Sequence, residues 1–188
     1  MRPLILTGGP AVGKSTCGRA LASSQARGAF IDADDVRQLV VAGDATLWSG
    51  PEGELQHELA ARNVASLARN FSADGFDVVI ADFVTPGSLA AYRSLLPDCF
   101  VVHLAILLKG ALERAATREV YLTDDEFALL HRMAESPPAA DLTLDVDGLL
   151  PDGQTDALRI AWSFASGHRT LGTADDRFEV RHEVSGER

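Results

Sequence analysis

Pro3-Leu4-Ile5-Leu6-Thr7 runs straight into Gly8-Gly9-Pro10-Ala11-Val12-Gly13-Lys14-Ser15, an apolar pentapeptide followed by the spacing G-x-x-x-x-G-K-S. The apolar run reads as a buried strand and the residues after it as a phosphate-binding loop opening a helix. Gly8 and Gly13 permit the tight turn that lets consecutive backbone N–H groups converge with the helix N-terminus into an anion nest. Lys14 supplies a point charge for the outer phosphates, and the Ser15 hydroxyl is the natural ligand for a Mg²⁺ ion bridging them. The loop from Gly8 through Gly9, Pro10, Ala11, Val12, Gly13, Lys14 and Ser15 to Thr16 is therefore the candidate nucleotide site, with ATP and Mg²⁺ as the expected cofactors. A chance match to this pattern in a chain this long is on the order of one per cent. Only two lysines occur, Lys14 and Lys109, and one fills the slot that the motif requires.

Working outward from that loop, strand and helix signals alternate along most of the chain. This alternation implies an α/β fold, a parallel sheet with helices on both faces. A second strand at Ala29-Phe30-Ile31 ends in Asp32-Ala33-Asp34-Asp35. The spacing of Leu55, Leu59, Val64, Leu67 and Phe71 predicts a helix over 54–71. Asp77-Val78-Val79-Ile80-Ala81-Asp82 reads as a buried strand ending in an acid, 100–108 as a fourth strand and 141–146 as a fifth. Within the fourth strand His103 reads as a satisfied core residue. A closing helix is expected over 152–165. The domain is expected to span 1–166, with a lid at about 114–136, and 167–188 reads as a charged tail available for pairing with a second copy in a homodimer.

Composition narrows the function. The 188 residues carry a formal net charge of −10 and a pI near 4.8, which argues against a nucleic-acid surface, because that task needs a basic face. Apolar runs of about 18 residues are lacking, so a membrane span is not expected, and the protein reads as cytoplasmic. Cys17 and Cys99 lack metal or disulfide spacing and read as core fillers. Neither lysine follows an Asn, which removes the guanine-specific switch signature, and the chain is short for a mechanical ATPase. A small phosphotransferase remains.

In open parallel sheets ligands gather beyond the C-terminal strand ends, where Asp32, Asp34 and Asp82 fall. Phosphoryl transfer to an alcohol needs a carboxylate that accepts the hydroxyl proton and acids that hold magnesium directly or through water. Asp34 is assigned as the base contacting the acceptor, and Asp32 and Asp82 as magnesium-side acids. Arg37, one turn beyond Asp34, and Trp48 with Leu47 are candidate acceptor contacts, alongside Asp34 and Asp82. Arg114 and Arg118, one turn apart, are candidate lid arginines closing over the transferring phosphate. Helix capping by an Asp of the cluster, a solvated Arg37, an exposed face for the two lid arginines and a core role for Trp48 are the structural alternatives.

On these motifs, together with F-I-D-A-D-D-V-R at 30–37, V-V-I-A-D at 78–82 and E-R-A-A-T-R at 113–118, the chain resembles the small P-loop kinases of the nucleoside-monophosphate-kinase-like group. Within it, the chloramphenicol phosphotransferase-like antibiotic kinases are most similar. The resemblance runs from about Pro3 to Trp162. It implies a sheet order of 2-3-1-4-5, ATP as donor, a small hydroxylated acceptor, and Asp32 and Asp34 as the magnesium-side and acceptor-side acids found in shikimate kinase. Adenylylsulfate kinases share the D-x-D-[ND]-V-R pattern, but Asp35 stands where they carry Asn, and their Lys-Gly-Leu-Tyr lid segment is missing. Few basic groups are available to clamp a carboxylate or phosphate acceptor, so a neutral or weakly charged alcohol, such as a natural-product antibiotic or nucleoside-like compound, fits better. Shikimate and nucleotide kinases, and a non-catalytic ATP sensor, stand as alternatives.

Overall fold

A computed structural model describes residues 1–117 and 121–167. It contains β1 (Leu4–Thr7), α1 (Lys14–Ser23), β2 (Gly28–Asp32), α2 (Ala33–Arg37), α3 (Pro51–Ala73), β3 (Asp77–Ala81), α4 (Pro86–Leu95), β4 (Phe100–Ala105), α5 (Leu108–Ala115), α6 (Asp124–Ala134), β5 (Leu142–Asp145) and α7 (Pro151–Ala165). The five strands form one parallel sheet in the order β2-β3-β1-β4-β5. The expected fold class and strand order are both observed.

The sheet is covered on both faces because its central strands are apolar at nearly every position, Thr7, Asp77 and His103 being the exceptions. Alternate residues of β1 feed opposite cores. Ile5 joins Ile31, Val64, Ile80, Tyr92 and Val101 on one side, while Leu4 and Leu6 join Leu21, Val79, Leu104, Leu158 and Trp162 on the other. The Trp162 indole N–H also donates to the Arg2 carbonyl at 2.7 Å, satisfying its one polar atom. Cys17 and Cys99 are buried free thiols, as expected of core fillers. None of the described helices is long and apolar enough to cross a membrane.

The long helix α3 departs from the expectation in its orientation. Of the five apolar residues that predict it, only Val64 is buried, and Leu55 is 56% exposed. The buried face carries Gly53, His57, Ala60, Ala61, Ala65 and Ala68 instead. Small side chains let α3 lie close against α4 and the sheet, which a face of leucines and phenylalanine would not permit. Volume, not hydrophobicity alone, decided which side turned inward.

Two elements place functional groups at the C-terminal edge of the sheet. The α4 helix begins with Pro86 after a Thr85 capping box, and just before it the Val84 N–H donates to Thr7 Oγ1 at 2.9 Å. A second capping box, Thr123 with Glu126, starts α6. The C-terminal part of α6 then packs on the phosphate loop, where a Cβ placed on Gly9 would lie 3.5 Å from both the Ala134 Cβ and the His131 Nδ1. Residues 168–188 of the anticipated tail lie outside the described residues.

Candidate functional site

The loop between β1 and α1 has the backbone that its spelling requires. Gly8 and Gly13 have φ of 138° and 103°, and Ala11 also sits in the left-handed region at 58°. At Gly8 an added Cβ would meet the Leu104 carbonyl at 2.4 Å, so conformation and space both demand glycine there. Gly13 is the N-cap of α1, and the first turn of that helix starts with Lys14 and Ser15, where free N–H groups and the helix dipole favour an anion. Lys14 Nζ donates to the carbonyls of Gly8 and Gly9 at 2.7 and 2.9 Å. Burial lowers its pKa to about 8, against the opposing pull of Asp34, Asp82 and Asp32, in that order. The ammonium therefore stands in the field of all three sequence-predicted acids, with Asp34 the strongest of them.

Ser15 Oγ donates to Asp32 Oδ2 at 2.8 Å, and Asp32 Oδ1 accepts from the Asp34 backbone N–H at 3.2 Å. Asp32 is thus the N-cap of α2, so the capping role falls to it and not to Asp34 or Asp35. Its second oxygen stays turned to the phosphate-loop serine. The Ser15–Asp32 pair offers oxygen donors suited to Mg²⁺, a hard ion that keeps most of its shell as water and phosphate and asks few side chains of a protein.

Asp34 projects outward, its side chain 74% exposed. Oδ1 accepts from Arg37 Nε and Nη2 at 3.2 and 2.6 Å. The same guanidinium donates from Nη1 and Nη2, both at 2.9 Å, to Oδ1 of Asp82, whose side chain is completely buried. Asp82 Oδ2 accepts from the Tyr92 hydroxyl at 2.8 Å. These contacts correct two expectations. Asp82 does not stand free as a magnesium acid, because its two oxygens are occupied by Arg37 and Tyr92. Arg37 is neither solvated nor open for a ligand, because it is stretched between two carboxylates. Although burial opposes it, Asp82 and Asp34 raise the Arg37 pKa above its ordinary value, while burial and then Asp82 push the Tyr92 hydroxyl well up. His57, under this cluster, donates from Nε2 to the Phe83 carbonyl at 2.7 Å, and burial lowers its pKa. Sequence reading missed Tyr92 and His57, because nothing local marks a tyrosine or histidine of a helix as the partner of an acid on another element.

Arg114 is also placed otherwise than expected. Its Nη1 donates to the Val12 carbonyl and Gln154 Oε1 at 3.0 and 3.2 Å, and its Nη2 to the carbonyls of Val146 and Leu149 at 2.7 and 2.9 Å. Gln154, buried in α7, adds a bond from Nε2 to Val12 O at 3.0 Å. Arg114 is a brace that ties the phosphate loop to the segment after β5, with its donors committed to protein oxygens rather than aimed at a phosphate. Arg118, its companion, lies outside the described residues. Beside the brace opens a cleft of about 580 Å³, walled by Gly13, Thr16, Ile106, Leu107, Leu149 and Pro151, within the size range of small-molecule sites. Thr16 faces this cleft, next to the Ser15 that carries the Asp32 bond.

Trp48 is half-buried in the segment before α3 and lines neither this cleft nor a second, smaller cavity of about 60 Å³ near Gly8, Phe83 and Pro86. His103 lines that small cavity; it is buried, as a core residue should be, but it is not satisfied, since its Nδ1 has no hydrogen-bond partner. Burial and the nearby Lys14 lower its pKa. His131 of α6, which sequence reading left unremarked, likewise keeps an unpartnered Nδ1 against Gly9.

The fold has clear parallels among solved structures. A sugar kinase from Janibacter sp. HTCC2649 superposes with a TM-score of 0.65 at 14% identity, covering 89% of this chain and 95% of that one. The fold is that of the small P-loop kinases. A gluconokinase from Sinorhizobium meliloti 1021 gives a TM-score of 0.60 at 17% identity, over 87% of this chain and 97% of that one. Shikimate kinase from Acinetobacter baumannii, solved with shikimate, gives 0.58 at 20% identity, over 87% and 94%. No family model matches the sequence, and no curated protein matches it.

Proposed function

We propose that this chain is a small-molecule kinase that transfers the terminal phosphoryl group of ATP to a hydroxyl of a natural-product or nucleoside-type compound, with the chloramphenicol phosphotransferase-like antibiotic kinases as its functional relatives. One observation carries this reading: the Lys14 ammonium, the Ser15–Asp32 pair and the Asp34 carboxylate gather at one edge of the sheet, with Asp34 the strongest of the acids acting on Lys14. The kinase fold of the neighbours, and the sugar, gluconate and shikimate named for them, support a hydroxylated acceptor.

In this reading the loop N–H groups and Lys14 grip the phosphates, and the cleft beside Thr16 and Leu107 takes the nucleobase. Ser15 and Asp32 would hold magnesium, which when bound would neutralise charge on the transferring group. Asp34 orients the acceptor hydroxyl with its free Oδ2 and takes the proton as the alcohol oxygen becomes nucleophilic. Arg37 fixes Oδ1 and so sets the direction in which Oδ2 points. The end of α6, already against Gly9, covers the loop and helps exclude water. A cytoplasmic location accords with this chemistry.

A coupled ADP-release assay over antibiotics, nucleosides, sugars, gluconate, shikimate and adenylylsulfate tests the reading. Stimulation of ADP release by one or more alcohols, with a phosphorylated product by mass, supports it. Tight ATP binding with no acceleration by any alcohol contradicts it and favours a nucleotide-sensing domain. Adenylylsulfate as the preferred acceptor would favour the kinases sharing the D-x-D-[ND]-V-R pattern.

A further inference from the structure

Arg37 is the cation nearest the Asp34 carboxylate in sequence, and its contacts show how its charge is used. All three guanidinium nitrogens donate to carboxylates: Nε and Nη2 to Asp34, and Nη1 and Nη2 to Asp82. Asp82 is completely buried, and its remaining oxygen is held by the Tyr92 hydroxyl, itself in the core. A buried carboxylate cannot be released to solvent without a large desolvation cost, so Arg37 is held where Asp82 is. Asp32, Asp34 and Asp82 stand here against the two cations Lys14 and Arg37. His57, beside Asp82 and Arg37, has a burial-lowered pKa and brings no positive charge. An incoming carboxylate or phosphate would meet Asp34 and find the guanidinium already paired in two directions.

We propose that Asp82 and Tyr92 are specificity-determining residues that lock Arg37 into a charge-cancelled pair and thereby exclude anionic acceptors, restricting the site to uncharged or cationic hydroxyl compounds. The inference rests on the kinase reading above. It parts company with the gluconate and shikimate of the structural neighbours, since both compounds are carboxylates. Asp82 and Tyr92 act through Arg37 and need not touch the acceptor themselves.

The test uses two matched pairs, gluconate with glucitol and shikimate with its methyl ester, in which a carboxylate is replaced by an uncharged group. Binding is followed on the full chain through the Arg37 Nε–H NMR signal, a readout that needs no turnover. In the wild type, millimolar gluconate and shikimate should leave that signal in place. In Asp82→Asn, which keeps an amide beside the Tyr92 hydroxyl but removes the charge, both anions should shift it in a saturable way, with affinity raised at least about tenfold, the order of a charge-assisted pair. The double variant Arg37→Gln/Asp82→Asn, which lacks that signal and is followed by titration calorimetry beside the single variant, should lose the gain in anion affinity. A saturable shift of the Arg37 signal by either anion in the wild type overturns the proposal, and this result needs no variant to fold. Equal anion affinity in the wild type and a folded Asp82→Asn overturns it too. In the turnover assay the uncharged member of an accepted pair should be preferred in the wild type and lose its advantage in Asp82→Asn, whereas preference for the anion in the wild type contradicts the proposal. A chain that phosphorylates none of the four compounds counts against the kinase reading for these acceptors alone, and the Arg37 signal still decides the inference.

Discussion

The two ends of the candidate site, donor and acceptor in the function proposed above, are built from different materials. The donor end, from Gly8 to Thr16, is mainly backbone: two glycines at positive φ, a helix N-terminus, and carbonyls that hold Lys14. The acceptor end is mainly side chain, a chain of partners running from Tyr92 through Asp82 and Arg37 to Asp34, drawn from α4, the residue after β3, and α2. Backbone machinery writes itself into a contiguous motif, because each residue must suit a local conformation. Side-chain machinery is assembled across the fold, and its parts can be exchanged without any local signature.

From that contrast, damage at the two ends is expected to separate binding from turnover. The largest effect is expected at the acceptor end, where Asp34→Asn should lower turnover by about 10² to 10⁴, the share of a general base. Its ATP dissociation constant should stay within about twofold of the wild type. Comparable loss of ATP affinity would move Asp34 into the metal site. At the donor end, Lys14→Met should cost about 10² to 10³ in phosphotransfer, with nucleotide affinity weakened as well, measured by titration with a fluorescent ATP analogue.

Between these extremes lies the support of Arg37. Asp82→Ala leaves Arg37 without its buried partner and should destabilise the fold by about 3–5 kcal/mol in denaturant unfolding. Tyr92→Phe, which only uncovers one carboxylate oxygen, should cost about 1–3 kcal/mol. Equal and negligible costs would mean that the network is not held as described. The smallest effect is expected at the brace. Arg114→Gln should weaken nucleotide binding by roughly tenfold, through a loosened loop, with little change in turnover at saturating ATP. A loss confined to turnover would restore the lid role for Arg114.

The same contrast explains what was legible in the sequence. The strand, loop and helix at 4–23, and the acids ending β2 and following β3, are local features, and strand alternation with the family resemblance carried the sheet order. The pairing of Arg37 with Asp82 joins residues 45 apart in the chain, and an exposed arginine and a metal acid looked equally reasonable at those positions. The bracing contacts of Arg114 are hidden from the sequence for a similar reason: its partners Val12, Val146, Leu149 and Gln154 come from two distant segments. The α3 helix shows a further limit. Periodicity of large apolar residues pointed to one face, whereas close approach to α4 selected the alanine face. His103 sits in an apolar strand, and only its three-dimensional surroundings show that its Nδ1 lacks a partner.

The nearness of the Asp34 carboxylate to the Lys14 ammonium underlies the whole reading, and a titration tests it directly. The chain has two lysines, of which Lys109 is well exposed, so the side-chain carbon signals of Lys14 can be followed by NMR as pH is raised. Burial should place its midpoint at about 8, and loss of the Asp34 charge, which favours the ammonium, should move that midpoint lower in Asp34→Asn. A Lys14 midpoint near 8 that falls in the variant is the result this account requires. A midpoint unmoved by Asp34→Asn would mean that the two groups do not share a site, and would contradict it.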